Sequence, residues 1–312
     1  MLLALRTCER YNYERLTSQT YPKQHRPPAP ADPLDQNTRA VDERRAGLDF
    51  FADDSSAQRP PEWLVSAPTA RYDRIGGGYS VARRTDPRIG QPIHDTLAGA
   101  VSVANVGAGT GSYEPDDIPT IAIEPSARMI RQRRDTRNAV QANAEAIPLR
   151  DDAVDCTMAI LTVHHWSSLA QGLAECARIA RRKVIIFTWD PEAPGFWLTR
   201  DYFPEILALD RDIFPSVQAI RRCLGPVQVR PVPIPADCRD GFLGAYWRRP
   251  RAYLDREVRA GISSFSLIDD LPARLEQLES DLADGTWRRV QGEMLPRDNL
   301  DLGYRLVTAG GN

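Results

Sequence analysis

The sequence predicts an α/β fold built on a doubly wound, mostly parallel sheet. Two observations carry this. Short apolar β runs alternate with helical segments between about residues 101 and 188, the pattern of parallel strands joined by right-handed crossovers. The first run, Val103-Ala-Asn-Val106, leads directly into Gly107-x-Gly109-x-Gly111. A buried parallel strand ends in such a tight turn where a ligand must approach the backbone.

The elements follow in chain order. Asp86-Pro87 predicts a helix start, with Pro at the first helical position, running to about Leu97. Strands are expected near 101–106, 119–124, 139–143, 155–162 and 183–188, and helices near 111–114, 126–136 and 168–180. Tyr202–Leu224 reads as helical, and Val227–Val232 has strand character broken by prolines. Arg251–Ser263 and Leu271–Ala283 have helical apolar spacing, and Leu302–Thr308 reads as a final strand. Residues 1–66 differ. Five prolines fall between Tyr21 and Asp35, periodicity is thin, and a disordered extension is expected. After Met1 the next methionine is Met129, so translation beginning near residue 65 would need a non-AUG start.

Composition is that of an ordinary globular chain, with 312 residues, 42% apolar and 26% charged. The formal net charge of -2 supplies no basic field for RNA or DNA, which disfavours a nucleic-acid partner. Lysine occurs only at Lys23 and Lys183, and Arg131-Gln-Arg-Arg134 reads as a solvated helix face. No apolar run approaches the roughly 18 residues of a membrane span. The opening Met1-Leu-Leu-Ala-Leu5 is too short for a signal-peptide core. The five cysteines (Cys8, Cys156, Cys176, Cys223, Cys238) form no C-x-x-C, so neither a metal site nor disulfides are predicted. A cytoplasmic location fits, and Cys156 reads as a small apolar filler of a buried strand.

The second apolar run, Thr120-Ile-Ala-Ile123, ends in Glu124. A carboxylate at a strand tip beside a glycine turn can accept both hydroxyls of a ribose, so the two together point to a nucleoside ligand. The dinucleotide fingerprint G-x-G-x-x-G would put its third glycine at position 112, which is Ser112. The third glycine stands at Gly111 instead. That tighter loop suits a nucleoside with an amino-acid tail and no pyrophosphate. Ser112 therefore argues against a nicotinamide-dependent oxidoreductase, the alternative enzyme class.

Further segments carry a family resemblance. They are Glu124-Pro-Ser-Ala-Arg-Met129, Asn143-Ala-Glu-Ala-Ile-Pro148, Asp151-Asp-Ala-Val-Asp155 with its His164-His165-Trp166 exit, and Lys183 to Pro191. In order and spacing they resemble the second- to fifth-strand motifs of class I S-adenosylmethionine (SAM)-dependent methyltransferases. The resemblance spans roughly residues 68–312 and is nearest the branch holding the ubiquinone/menaquinone C-methyltransferases. It implies a Rossmann-like seven-stranded sheet with its last strand antiparallel. It implies a methyltransferase domain over 67–312, with cap insertions at about 192–225 and 236–300 roofing the active site. It also implies SAM as cofactor and a small organic molecule as methyl acceptor. The cofactor candidates are Gly107, Ala108, Gly109 and Gly111 under the methionine moiety, and Glu124, Pro125 and Ser126 at the ribose. Met129 stands beside the adenosine in this scheme, Asn143, Ala144 and Glu145 at the adenine edge, and Leu161 after the fourth strand. Tyr72 and Tyr79 resemble family tyrosines that fold over the methionine end, or else pack an N-terminal helix.

Two departures stand out. Asn105 and Asn143 occupy positions that are usually acidic, keeping hydrogen bonding but dropping a charge. They motivate a third reading, a non-catalytic SAM-binding protein. Methyl transfer from a sulfonium is an in-line displacement that needs alignment and exclusion of water. A general base is required only when the acceptor loses a proton. His164 and His165 are candidate catalytic residues because imidazole titrates near neutrality, a loop-packing role being the alternative. Trp189, Phe196, Trp197, Tyr202, Phe203, Tyr246 and Trp247 either line an apolar acceptor pocket or form the core of the cap. No pattern specifies the acceptor's identity or the oligomeric state.

Overall fold

The computed structural model describes residues 84–268 and 271–310. The extension 1–66, Tyr72 and Tyr79 lie outside the described residues.

Helix α1 (Pro87–Thr96) begins where Asp86-Pro87 predicts. Asp86 Oδ1 accepts the Arg88 backbone N–H at 3.0 Å, capping the first turn. Burial opposes ionisation of Asp86, but hydrogen bonds from Arg88 and the Arg239 amide hold its carboxyl down at about 2. The strands are β1 (Val103–Val106), β2 (Thr120–Ile123), β3 (Ala139–Val140), β4 (Val154–Ile160), β5 (Ala180–Trp189), β6 (Val227–Pro231), β7 (Ile234–Pro235), β8 (Asn299–Leu300) and β9 (Tyr304–Gly310). Among the described residues the main sheet has seven strands in the order β3-β2-β1-β4-β5-β9-β6. Strands β1 to β5 pair in parallel, and β9 inserts antiparallel to both β5 and β6. Strands β7 and β8 form a separate small pair.

The side-chain period of two sorts the sheet into two faces. Val103, Met158, Ile185, Phe187 and Leu306 face α1 and the aromatic residues of the 193–304 region. Ala104, Val106, Val184, Ile186 and Val307 face helices α3 (Leu169–Ile179) and α5 (Val217–Leu224) through Leu173, Cys176, Ile179 and Ile220. Each fully buried large apolar side chain stabilises the fold by about 1.5–3 kcal/mol. Because β1 pairs with β2 on one side and β4 on the other, strand order reverses at β1. Ligands of open α/β sheets bind at that reversal, outside the carboxyl ends of the strands.

Several elements differ from their sequence expectation. Residues 111–114 form turns rather than a helix. Tyr113 sits at φ +62 and is buried, its hydroxyl donating to Asp240 at 2.8 Å, which pins the short β1–β2 connection in place of a helical turn. The helix expected over 126–136 is only α2 (Ala127–Arg131), started by Ser126 Oγ accepting the Met129 N–H. Beyond it the chain turns, and Arg133 reaches back to Glu114 at 2.6 Å. The Arg133 side chain is 7% exposed, so this part of the arginine run is not a solvated face. Strand β3 stops at Val140 because it is the sheet edge and pairs with β2 alone. The run 202–224 breaks into α4 (Pro204–Ile213) and α5 at Phe214-Pro-Ser216, since Pro cannot continue a helix and Ser216 caps the next one. Residues 251–263 hold only α6 (Arg256–Ala260) between 3₁₀ turns. The later helices are α7 (Leu271–Ala283) and α8 (Thr286–Gln291). Cys156 is buried in β4, its thiol pushed up by burial.

Candidate active site

The loop after β1 is shaped by positive φ. Gly107, Gly109 and Gly111 sit at +70, +52 and +93, a region in which L side chains are strained. At Gly107 a Cβ would also lie 2.0 Å from Thr162 Oγ1, so the β1 loop and the β4 exit touch there. Ala108 is buried, and the Met129 methyl lies 3.5 Å from where a Gly109 Cβ would be, in ordinary contact under the loop.

Glu124 follows β2 and is 5% exposed. Its Oε2 accepts the Gly109 N–H at 2.8 Å and its Oε1 accepts the Ser126 N–H at 2.9 Å. The carboxylate thus ties the glycine loop to the start of α2. Asn105 is buried, and its Nδ2 donates to Glu114 Oε1 at 2.9 Å. Asn105 Oδ1 is buried with no hydrogen-bond partner among the described residues. Arg133 Nη2 in turn donates to both Glu114 oxygens, Oε1 at 2.8 Å and Oε2 at 2.6 Å. Arg133 also donates to the Gly109 carbonyl at 3.2 Å. A carboxylate therefore does stand beside the β1 tip, supplied by Glu114 rather than by position 105.

The third-strand candidates separate. Ala144 is buried and Asn143 is exposed. Glu145 accepts from Ser167 Oγ at 2.9 Å and the Ser168 N–H at 3.0 Å, so it fixes the start of α3. Leu161 follows β4 with φ +49 and donates its N–H to the Phe187 carbonyl. A 3₁₀ turn, Val163–His165, follows. The His164 ring lies 3.8 Å from that of His165 and stacks on Phe214 at 3.9 Å between centroids.

Beside this turn opens a cleft enclosing about 790 Å³ of empty volume including its mouth. Leu161, His164 and His165 form one wall, Trp189 and Tyr304 another, and residues of α4 and the loops around Phe196, Phe242 and Ile262 the rest. Of the aromatics flagged in the sequence, Trp189 and Phe196 line it. Trp197, Phe203 and Trp247 are fully buried and pack the region behind it. Asp210, Glu114, Arg133 and Thr162 carry no sequence motif. Their importance comes from partners 19 to 55 positions away or more, as in Arg133 with Glu114 and Ser264 with Asp210.

Comparison with known proteins agrees with this geometry. A protein-family profile described as a methyltransferase domain matches residues 104–188, the segment from β1 through β5. A solved structure from Anabaena variabilis ATCC 29413, a putative methyltransferase from an antibiotic biosynthesis pathway, is 34% identical with a TM-score of 0.67. That match covers 73% of this chain and 98% of the other. A curated tRNA (carboxymethyluridine(34)-5-O)-methyltransferase, ALKBH8 of Mus musculus, is 27% identical over 130 residues, 39% of this chain and 19% of its own length. The Macaca fascicularis protein of the same name is 25% identical over the same length. The chain thus spans about a fifth of the length of these curated relatives.

Proposed function

We propose that this chain, which belongs to the class I S-adenosylmethionine-dependent methyltransferases, methylates a small organic acceptor held in the cleft beside the ends of β4 and β5. The observation that carries the reading is the position and lining of that cleft. Leu161, His164 and His165 line it, while Thr162 between them touches the glycine loop. Its walls are mainly apolar and aromatic, as in sites that hold small ligands.

The residues present fit the cofactor. The glycine loop offers backbone without side chains, Asn105 Oδ1 is an orphaned acceptor for an ammonium, and the Glu124 carboxylate stands at the loop where ribose hydroxyls would donate. When bound, SAM supplies an electrophilic methyl on a sulfonium that leaves as a neutral thioether. The chain's work is to orient and to exclude water. Met129 and Ala108 form the apolar floor under the loop. Ala144 sits at the adenine side, and Glu145 acts through the α3 start that it holds. His164 or His165 takes up a proton when the acceptor must lose one. Residues 195–214 and 242–264 cover the acceptor, whereas α5, inside the expected insertion, packs on α3 at the opposite face of the sheet. A cytoplasmic location belongs to the same proposal; the described cysteines Cys156, Cys176, Cys223 and Cys238 are free thiols, and no described helix is long and apolar enough to cross a membrane.

A second reading takes tRNA as acceptor, as the name of the mouse relative says of that protein. The net charge of -2 weighs against it. The test is methyl transfer from radiolabelled SAM to a panel of small amines, phenols and carboxylic acids, and to bulk tRNA. Label in small molecules supports the proposal, and label in tRNA alone overturns it.

A further inference from the structure

The cleft contains a buried acid that no sequence pattern pointed to. Asp210 lies on α4, one helical turn before Phe214, whose ring stacks on His164. It is 5% exposed and forms part of the cleft wall. Ser264 Oγ donates to its Oδ1 at 3.0 Å, the one side-chain hydrogen bond to this carboxyl among the described residues. No arginine or lysine pairs with it among those residues; the nearest in sequence, Arg211, donates instead to the Ala193 carbonyl. Burial pushes the carboxyl up to about 7 against the opposing pull of Ser264.

A carboxylate so placed has lost water and gained no protein counter-charge, a costly state unless a ligand supplies the charge. The other groups lining the cleft suit a cation too. Trp189, Phe196, Phe214, Phe242 and Tyr304 present aromatic rings, whose faces attract ammonium groups. Among the described lining residues the only other ionisable side chains are His164, His165 and Tyr304.

We propose that Asp210 is a specificity-determining residue, and that the acceptor is an amine on an apolar or aromatic body whose ammonium pairs with the Asp210 carboxylate. This rests on the reading of the cleft as the acceptor site. The pairing anchors the acceptor, and the atom that receives the methyl is a separate matter. A neutral acceptor of the same shape leaves the carboxylate unpaired, and an acidic one is repelled.

The test uses the full chain saturated with S-adenosylhomocysteine at pH 8. Tryptamine, its neutral isostere tryptophol and the acid indole-3-propionate are titrated by calorimetry. Tryptamine is expected to bind about ten-fold or more tighter than tryptophol, with the acid weakest, as a charge-assisted contact requires. In Asp210→Asn the amine preference should vanish, and in Ser264→Ala it should shrink while persisting. Equal binding of amine and alcohol by the wild-type chain overturns the proposal without any variant. So does an amine preference that survives in an Asp210→Asn protein whose melting temperature and S-adenosylhomocysteine affinity have not fallen. The underlying reading fails separately. Asp210-dependent tryptamine binding that does not compete with any methyl acceptor removes the cleft as acceptor site, and with it the acceptor assignment.

Discussion

Removing the Glu124 carboxylate should damage both the fold and cofactor binding, by amounts that follow from its hydrogen bonds. The side chain is 5% exposed and accepts the N–H groups of Gly109 and Ser126. Glu124→Ala strands both donors in a largely buried place. Each orphaned donor costs about 1–3 kcal/mol, so stability should fall by about 2–6 kcal/mol. Two ribose hydroxyls donating to a charged acceptor contribute about 1.5–3 kcal/mol each, so SAM affinity should fall by roughly 10²- to 10⁴-fold. Glu124→Gln separates the two effects. It keeps the shape and one acceptor oxygen but turns an amide nitrogen toward the other backbone donor. Urea unfolding would give the stability change, and calorimetry with SAM the affinity change. A Glu124→Ala protein that unfolds at the wild-type urea midpoint refutes the tie between loop and helix. Unchanged SAM affinity in either variant refutes the ribose role.

Three further outcomes are expected. Gly107→Ala places a Cβ 2.0 Å from Thr162 Oγ1 at φ +70, so it should lower the melting temperature and weaken SAM binding; adding Thr162→Ala should rescue only part, because Thr162 Cβ itself lies 2.9 Å from the new carbon. Arg133→Ala leaves Glu114, 19% exposed, without its counter-charge and releases the Gly109 carbonyl, so it should cost about 3 kcal/mol or more, whereas the pair Arg133→Met with Glu114→Gln should cost less, as chemical denaturation would show. Asp210 ionises near 3.8 in the unfolded chain and at about 7 in the folded one, so its contribution to stability is fully present below about pH 4 and is lost as pH rises through 7. The full loss is of order 4 kcal/mol, and Asp210→Asn should therefore gain on the wild type as pH is raised from 5 to 8, a trend that parallel melting curves would reveal or exclude.

The parts of this protein legible in its sequence are those set by neighbouring residues. The short apolar runs such as Val103–Val106 and Thr120–Ile123, alternating with helical segments, are local patterns, and they predict the parallel strands. The glycine triplet is legible because a positive φ is a property of single residues, and Glu124 because a strand tip ends where the apolar run ends. Element lengths were less legible. The helices expected at 111–114 and 126–136 gave way to turns, because Tyr113 and Arg133 found better partners in Asp240 and Glu114 than helical continuation offered. The seventh strand's place between β5 and β6 follows from the family resemblance, not from any local signal. The cleft was decided by tertiary structure alone. Its walls join residues from 161 to 304, and the same arginine or aspartate in the sequence reads as solvated surface until packing removes its water. Asp210 shows this most clearly. Nothing around it in the chain marks it as buried, and its altered ionisation arises from burial beneath Ser264 and the aromatic residues, a charge–solvent balance that only the folded chain creates.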